Sequence, residues 1–302
     1  MASVLARLMG IFSVSTTKMC REDIFETPQV FRLSLLMDVP SATLLRFRSG
    51  WPGGRYYYRP LRCEKRDGSP RHIYAPSPPL KALQRALLSY LNSLTVHPAA
   101  LGFRRGFSIA DNARAHQGQA VVVTADIEDF FDSTPAQRVR DFFRAEGWDT
   151  TAVSILTRLC TFHSVLPQGA PTSPVLSNLV NTHLDADLTR VILQSGGRYS
   201  RYGDDLTFSW STRAVPSGFE ATARAILLSY GYHLNAQKGW RIWRVYAGDV
   251  AYITGIRLGL DGRLHPSSEI QQNMRELRHQ RNDPVAAARL QGYQGFIKML
   301  RS

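Results

Sequence analysis

Short apolar runs and alternating apolar and polar positions predict strands in the middle of the chain. Val121–Val123 are consecutive apolar residues, a pattern typical of a buried strand. Residues 198–209 alternate on both sides of Tyr202-Gly203-Asp204-Asp205, which predicts two strands joined by a tight turn. Residues 56–63 and 72–74 predict a hairpin, and residues 251–259 predict one further strand.

Helical periodicity dominates the two ends of the chain and the segment after residue 76. Residues 1–54 predict a mostly helical region that ends at the glycine-rich break over residues 49–54. Residues 266–302 predict two helices, which leaves 55–265 as the main domain of mixed strands and helices. A long core helix is predicted by leucines at helical spacing, namely Leu80, Leu83, Leu87, Leu88, Leu91 and Leu94.

Composition narrows the class of partner. The 302 residues are 44% hydrophobic, which is ample for a large core, and Lys plus Arg outnumber Asp plus Glu by 37 to 24. The resulting net charge of +13 favours a polyanionic partner, most simply nucleic acid. An anionic membrane surface is the rival, but no apolar run is long enough to span a bilayer. The scattered Cys20, Cys63 and Cys160 match no disulfide or zinc pattern and predict a cytoplasmic protein.

Three aspartates are the candidate catalytic residues. Asp204 and Asp205 occupy the predicted turn, where like charges repel unless a cation relieves them. Asp126 ends the buried strand, where its side chain can leave the core. Carboxylates from separate strands, holding two metal ions about 3.5–4 Å apart, are what two-metal phosphoryl transfer requires. From the turn residues alone, a solvated acidic hairpin is equally good, because Asp is a common turn residue.

Other acidic and polar residues stay as competitors or candidate ligand contacts. Glu128, Asp129 and Asp132 follow Asp126 but do not directly end the strand, so they are predicted surface residues. Lys65 and Arg71 flank the first hairpin turn and suit either a triphosphate clamp or a solvated loop. The contacts proposed elsewhere are Gln168 in a rigid loop before a helix, Asn112 and His116 in a basic segment, and Arg275, Arg278 and Arg281 on one helix face.

Taken together, these ordered blocks resemble reverse transcriptases, and most closely those of bacterial retrons. The resembling motifs are the segment from Lys65 to Pro76, the strand end at Ala125–Phe131, the loop Leu166–Pro174, the Tyr-Gly-Asp-Asp turn and the lysine segment Asn235–Lys238. Asn112-Ala-Arg-Ala-His116 fits the retron Asn-Ala-x-x-His pattern. Ile253-Thr254-Gly255 resembles the retron Val-Thr-Gly triplet with its first residue changed.

The resemblance implies an α+β right-hand polymerase fold, with fingers and palm over 55–265 and a short helical thumb over 266–302. It implies an RNA-directed DNA polymerase in which Asp126, Asp204 and Asp205 hold two Mg²⁺ ions. Further roles implied by the resemblance are nucleotide contacts by Lys65, Arg71, Phe131, Gln168 and Lys238, and RNA contacts that include Thr254 and Gly255. Phe131 stands where the family places the residue that collides with a ribonucleotide's 2′-hydroxyl.

Retron enzymes copy part of a structured noncoding RNA from the 2′-hydroxyl of an internal guanosine and produce branched multicopy single-stranded DNA. The expected partners are therefore that RNA, its DNA product, deoxynucleoside triphosphates and a separate effector protein in antiphage defence. The alternatives are an intron-encoded or abortive-infection reverse transcriptase, an RNA-dependent RNA polymerase, and a noncatalytic RNA scaffold. Bulky Phe131 argues against the RNA polymerase, and three intact carboxylates argue against the scaffold.

Overall fold

The computed structural model of the chain describes residues 26–48, 57–64, 70–280 and 283–301. These residues form two compact units that alternate along the sequence. One contains the described residues up to Thr95 together with Phe131–Val180, and the other contains Val96–Phe130 together with the described residues from Asn181 onward. The linear boundaries predicted at 54/55 and 265/266 stay predictions, and the first lies outside the described residues.

The first unit is mainly helical and carries one hairpin. Its helices are α1 (Pro28–Met37), α2 (Ser41–Leu45), α3 (Pro78–Ser93), α5 (Ala136–Ala145), α6 (Thr150–Cys160) and α7 (Ser173–Leu179). Strands β1 (Tyr58–Glu64) and β2 (Pro70–Pro76) pair antiparallel from Tyr58 opposite Pro76 to Glu64 opposite Pro70. This confirms the predicted hairpin.

The predicted leucine stripe forms the core face of α3. Leu80, Leu83, Leu87 and Leu91 are buried. Gln84 is buried beside them because its amide has polar partners: Nε2 donates to Tyr58 Oη and to the Leu159 carbonyl, each at 2.8 Å. These two hydrogen bonds satisfy the amide nitrogen and lower the cost of burying it, whereas Oε1 is buried with no hydrogen-bond partner among the described residues.

The second unit is built on an antiparallel sheet. Within the described ranges its strands are β3 (Val121–Asp126), β4 (Gly197–Tyr202), β5 (Asp205–Trp210) and β6 (Arg241–Arg244), in the order β4-β5-β3-β6. Val121–Val123 are buried as predicted. Along β5 every side chain from Leu206 to Trp210 is buried, so both faces of this strand are covered.

Helices and a small second sheet complete this unit. The helices are α4 (Ile109–Arg114), α8 (Thr182–Gln194), α9 (Phe219–Ser229), α10 (Ser268–His279) and α11 (Pro284–Arg301). The last two confirm the predicted helical tail. Across the described ranges, no helix is both long enough and apolar enough to cross a bilayer.

The single strand predicted over residues 251–259 is wrong. The segment forms two short strands, β7 (Tyr252–Ile253) and β8 (Ile256–Leu258), which pair with each other and with β9 (Leu264–Pro266). Thr254 and Gly255 make the turn with φ of +47° and +80°. A β-branched residue rarely adopts positive φ, so the apolar pattern of the segment carries no signal for a turn at Thr254.

Candidate active site

The three predicted aspartates come together through strand pairing. Tyr202 lies opposite Asp205 across the β4–β5 hairpin, so Gly203 and Asp204 form a two-residue turn. On the other side of β5, Asp205 lies opposite Asp126, the last residue of β3. The Ile127 amide also donates to the Asp204 carbonyl at 2.9 Å. The end of β3 is therefore joined to both aspartates of the turn.

The site carries negative charge in a partly dry environment. Asp126 is only 8% exposed. Burial, together with the neighbouring charges of Asp204 and Asp126, raises the pKa of the Asp205 carboxyl to about 7, and the charge of Lys238 opposes this rise. A carboxyl held this close to other carboxylates ionises at a cost, and that cost falls when a cation is present.

Lys238 is the cation that the structure places against this cluster. Its Nζ donates to Asp126 Oδ2 at 2.6 Å, and its side chain is half exposed. The lysine follows a loop whose backbone is tied to the same strand, because the Asn235 amide donates to the Asp126 carbonyl at 2.8 Å. The sequence analysis placed Lys238 among nucleotide contacts; its pairing with Asp126, 112 residues away, had no local signal.

The carboxylates fit a metal site by their chemistry, although they do not stand in a finished one. Among the residues that the structure describes, no group of three or more His, Cys, Asp or Glu side chains is arranged around a common metal position. The closely spaced carboxylates of Asp126, Asp204 and Asp205 nevertheless supply negative charge and oxygen ligands, which hard divalent cations prefer. The competing acids Glu128, Asp129 and Asp132 are exposed, as predicted.

The neighbouring segment 99–103 supports the acidic turn. The Arg201 amide donates to the Ala99 carbonyl at 2.7 Å, and the Leu101 amide donates back to the Arg201 carbonyl at 2.8 Å. A Cβ at Gly102 would lie 2.6 Å from the Gly203 amide nitrogen, so only glycine permits this approach. The ring of Phe103 covers the other side of Gly203.

The remaining predicted nucleotide contacts belong to the first unit. Lys65 lies outside the described residues, and Arg71 lies in β2 with its side chain outside the described part. Phe131 and Gln168 are both partly buried. The Gln168 carbonyl accepts a hydrogen bond from the Tyr74 amide at 2.7 Å, which ties the predicted rigid loop to β2. Contacts between these four side chains and a nucleotide stay predictions.

Asn112 and His116 are buried in a chain of hydrogen-bonded polar groups against the β4–β5 hairpin. Both side chains are 0% exposed. His116 Nδ1 and Nε2 each lie 2.7 Å from a serine hydroxyl, those of Ser209 and Ser200 respectively. Ser200 Oγ donates to Asn112 Oδ1 at 2.6 Å, and Asn112 Nδ2 donates to Thr254 Oγ1 at 3.4 Å. Direct RNA contact by Asn112 and His116 is therefore not supported, because neither side chain reaches the surface.

The chain also determines where its protons lie. Because the carbonyl oxygen of Asn112 only accepts, the Ser200 proton is used there and its oxygen accepts from His116 Nε2–H. Ser209 must then donate to His116 Nδ1. Burial, with a smaller effect of the Arg198 charge, lowers the pKa of His116 to about 3. The imidazole is thus neutral, and both of its nitrogens are hydrogen-bonded.

The other predicted RNA contacts are accessible. Thr254 is partly exposed and Gly255 exposed at the β7–β8 turn. Arg275 and Arg278 line a cavity of about 1030 Å³ beside α10 and α11, together with Arg114 and Arg263. A concave surface with four arginines suits phosphate groups. Arg281 lies outside the described residues.

A family comparison agrees with this geometry. The model described as reverse transcriptase (RNA-dependent DNA polymerase) matches residues 63–243, which is more than half of the chain. The matched region includes β3, the whole β4–β5 hairpin and the segment that follows to residue 243. It therefore contains all three aspartates and Lys238.

Solved structures show the same fold. Apo telomerase from Candida Tropicalis superimposes with a TM-score of 0.54 at 11% identity, over 74% of this chain and 51% of that one. Telomerase from Candida albicans in complex with a TWJ fragment of telomeric RNA gives 0.51 at 11% identity, over 74% and 50%. At this identity the likeness concerns the fold alone, and it confirms the predicted α+β polymerase fold.

Curated relatives narrow the family. Retron Mx162 reverse transcriptase of Myxococcus xanthus is 36% identical over 80% of this chain and 58% of its own length. Retron Mx65 reverse transcriptase of the same organism is 35% identical, over 81% and 61%. Retron Ec86 reverse transcriptase of Escherichia coli is 36% identical, over 61% and 58%. The chain spans about three fifths of the length of these relatives. It therefore belongs to the reverse transcriptase (RNA-dependent DNA polymerase) family, in which its relatives are retron enzymes.

Proposed function

We propose that the chain is an RNA-directed DNA polymerase that copies part of a structured noncoding RNA by two-metal nucleotidyl transfer. The observation that carries the proposal is the convergence of Asp126, Asp204 and Asp205, which strand pairing brings to one place. A noncatalytic scaffold gains nothing from three adjacent carboxylates, because the charges of Asp204 and Asp126 raise the pKa of Asp205 and this repulsion costs stability.

Asp126, Asp204 and Asp205 would hold two Mg²⁺ ions. When bound, such ions lower the pKa of an attacking hydroxyl and stabilise the leaving pyrophosphate. The protein's own contribution is to hold the three carboxylates on adjacent strands, where pairing allows little movement of the backbone. Lys238 offsets part of the charge at Asp126, and its half-exposed ammonium is a suitable partner for a substrate triphosphate.

Substrate choice would rest on side chains of the first unit. We assign Phe131 to exclusion of the ribonucleotide 2′-hydroxyl, and Lys65, Arg71 and Gln168 to the incoming nucleotide. These assignments rest on the resemblance of their segments to reverse transcriptase motifs.

The retron names of the relatives support a specific template and product. We propose priming from the 2′-hydroxyl of an internal guanosine, which yields branched multicopy single-stranded DNA. The exposed Thr254-Gly255 turn and the cavity lined by Arg275 and Arg278 are the RNA-facing surfaces that this proposal uses, with Arg281 added from the sequence. Structured RNA is distinguished by shape, unpaired bases and 2′-hydroxyls, whereas phosphate contacts add affinity that salt weakens.

The wider setting follows from the resemblance to retrons. We propose a cytoplasmic role in antiphage defence together with a separate effector protein. Co-purification followed by sequencing of the bound nucleic acid identifies the RNA, and a branched RNA–DNA product supports retron priming over the intron-encoded or abortive-infection alternatives.

The test of the catalytic assignment is primer extension by Asp205→Asn on an RNA template with an annealed DNA primer. Losing a metal-binding charge should lower the rate about 10³-fold, since metal stabilisation of the transition state amounts to several kcal/mol. The exposed Asp132→Asn is the matched control and should extend normally. Without Mg²⁺, Asp205→Asn should unfold no more easily than the wild type, because burial and like charges oppose ionisation of Asp205. Near wild-type extension by Asp205→Asn would reject the assignment.

A further inference from the structure

A fully buried ion pair lies directly behind the acidic turn. Arg201 on β4 and Asp185 on α8 are both 0% exposed. Arg201 Nε donates to Asp185 Oδ1 at 2.9 Å, and Nη2 donates to Oδ2 at 2.7 Å. Tyr199 Oη donates to the same Oδ1 at 2.8 Å. The two parallel bonds fix the guanidinium plane, which a lysine ammonium could not do.

The arginine has a third partner, and that partner belongs to the catalytic turn. Arg201 Nη1 donates to the Gly203 carbonyl at 3.2 Å. Gly203 and Asp204 are the two central residues of the hairpin turn, so this carbonyl belongs to the central peptide. Rotation of the central peptide is what interconverts the two favoured types of two-residue hairpin turn.

The backbone angles show which turn type the arginine accompanies. Gly203 has a φ of +68°, while Asp204 is not among the residues with positive φ. This combination is that of a type II′ turn, whereas a type I′ turn needs positive φ at both central residues. Aspartate tolerates positive φ better than most residues do, so the local sequence alone does not exclude the type I′ turn.

A change of turn type would redirect the carboxylate of Asp204. The central peptide joins Gly203 to Asp204, and its rotation changes the φ of Asp204 and therefore the direction of that side chain. On the other side of this residue, the Asp204 carbonyl is held by the Ile127 amide at 2.9 Å. Arg201 binds the Gly203 carbonyl, so the carbonyl groups of both central turn residues accept hydrogen bonds from other residues of the second unit.

We propose that Arg201 is a positioning residue that holds the central peptide of the Gly203–Asp204 turn and thereby sets the direction of the Asp204 carboxylate, next to those of Asp126 and Asp205, for nucleotidyl transfer. Asp185 acts through Arg201 by fixing its guanidinium plane. The inference rests on the proposed function, because the direction of these carboxylates matters only if they take part in the chemistry. A buried ion pair is weak support for stability by itself, since apolar residues of similar volume often stabilise equally well.

The test measures single-nucleotide addition by Arg201→Lys on a primed RNA template. Lysine keeps the charge opposite Asp185 but loses the planar fork that reaches Gly203. We expect the maximum rate at saturating deoxynucleotide to fall about 10²-fold, as small misplacements of reacting groups do. The deoxynucleotide concentration that gives half of this rate should change less than about threefold, because such a loss acts on the transition state.

Tyr199→Phe is the matched control. It removes a buried hydrogen bond to the same carboxylate and leaves the Arg201–Gly203 contact intact. Both variants are compared by thermal unfolding, and Tyr199→Phe should keep its maximum rate within about threefold of the wild type. If Arg201→Lys does not fold, Asp185→Asn replaces it, since the amide retains the volume but binds the guanidinium less firmly; its maximum rate should also fall.

The outcomes separate the two proposals. An inactive wild type would overturn the proposed function and, with it, the positioning role that rests on it. An active wild type with an equally active Arg201→Lys, or Asp185→Asn where that variant is used, overturns the positioning role. A rate loss in all variants that simply follows the loss of thermal stability also overturns it, because a purely structural pair would behave in that way.

Discussion

The buried imidazole of His116 makes the stability of the protein depend on pH in a defined window. Its folded-state pKa is lowered from 6.5 to about 3, chiefly by burial. Below about pH 6.5, His116 is therefore protonated in the unfolded chain but stays neutral in the folded protein. Stability from this group is fully present above the unfolded pKa and is lost as the pH falls from 6.5 towards 3.

The size of the effect follows from the proton linkage. Each pH unit inside the window costs about 1.4 kcal/mol, so the loss between neutral pH and about pH 5 amounts to roughly 2 kcal/mol. This value changes little if the folded-state pKa is a unit higher or lower, because about pH 5 lies well above it in either case. The hydrogen-bond chain predicts in addition that the single imidazole proton lies on Nε2.

The assay is urea unfolding of the wild type and His116→Gln at about pH 7.5 and about pH 5, compared as a difference of differences. Other titrating groups are common to both proteins and cancel. The variant should be less stable at neutral pH but should lose about 2 kcal/mol less than the wild type on acidification. His183→Gln, a substitution of an exposed histidine on α8, is the control. Parallel pH profiles for wild type and His116→Gln would refute the assignment, as would imidazole nitrogen chemical shifts that place the proton on Nδ1.

Two further predictions concern substrate choice. Phe131→Ala should raise ribonucleotide incorporation relative to deoxyribonucleotide incorporation, because it removes the ring proposed to exclude the 2′-hydroxyl. An unchanged ratio would reject this role of Phe131. The double variant Asn112→Ala and His116→Ala is tested on two substrates, the internally primed noncoding RNA and a plain RNA template with a DNA primer. Synthesis should fall on both, because the two side chains are buried against the β4–β5 hairpin. Failure on the noncoding RNA alone would restore the sequence-based expectation that these residues select the template.

Local patterns in the sequence were sufficient to predict the strands and the turn that carry the three aspartates. A run of valines that ends at Asp126 predicts a buried strand, and alternation around a glycine predicts a hairpin. These signals depend on side-chain period and turn chemistry over a few residues. The resemblance to reverse transcriptases added the family and the fold, and the family comparison confirmed the family.

Other features depended on conformations that the local sequence does not favour. The segment over 251–259 has the apolar content of one strand, yet it folds back at Thr254, a β-branched residue with positive φ. The helix predicted after the rigid loop around Gln168 is divided in the structure into α7 and α8, which belong to different compact units.

The sequence by itself determined which carboxylates could meet, because strand period and turn chemistry are local. Only the tertiary structure decided how the polar groups around them are paired. His116 meets serines 84 and 93 residues away, and Lys238 meets Asp126 across 112 residues. Asp185 and Arg201 lie on successive elements, but neither predicts a buried ion pair, since charged residues are usually exposed. A buried polar group is stable only where a distant partner arrives with the right geometry, and that depends on how the whole chain packs.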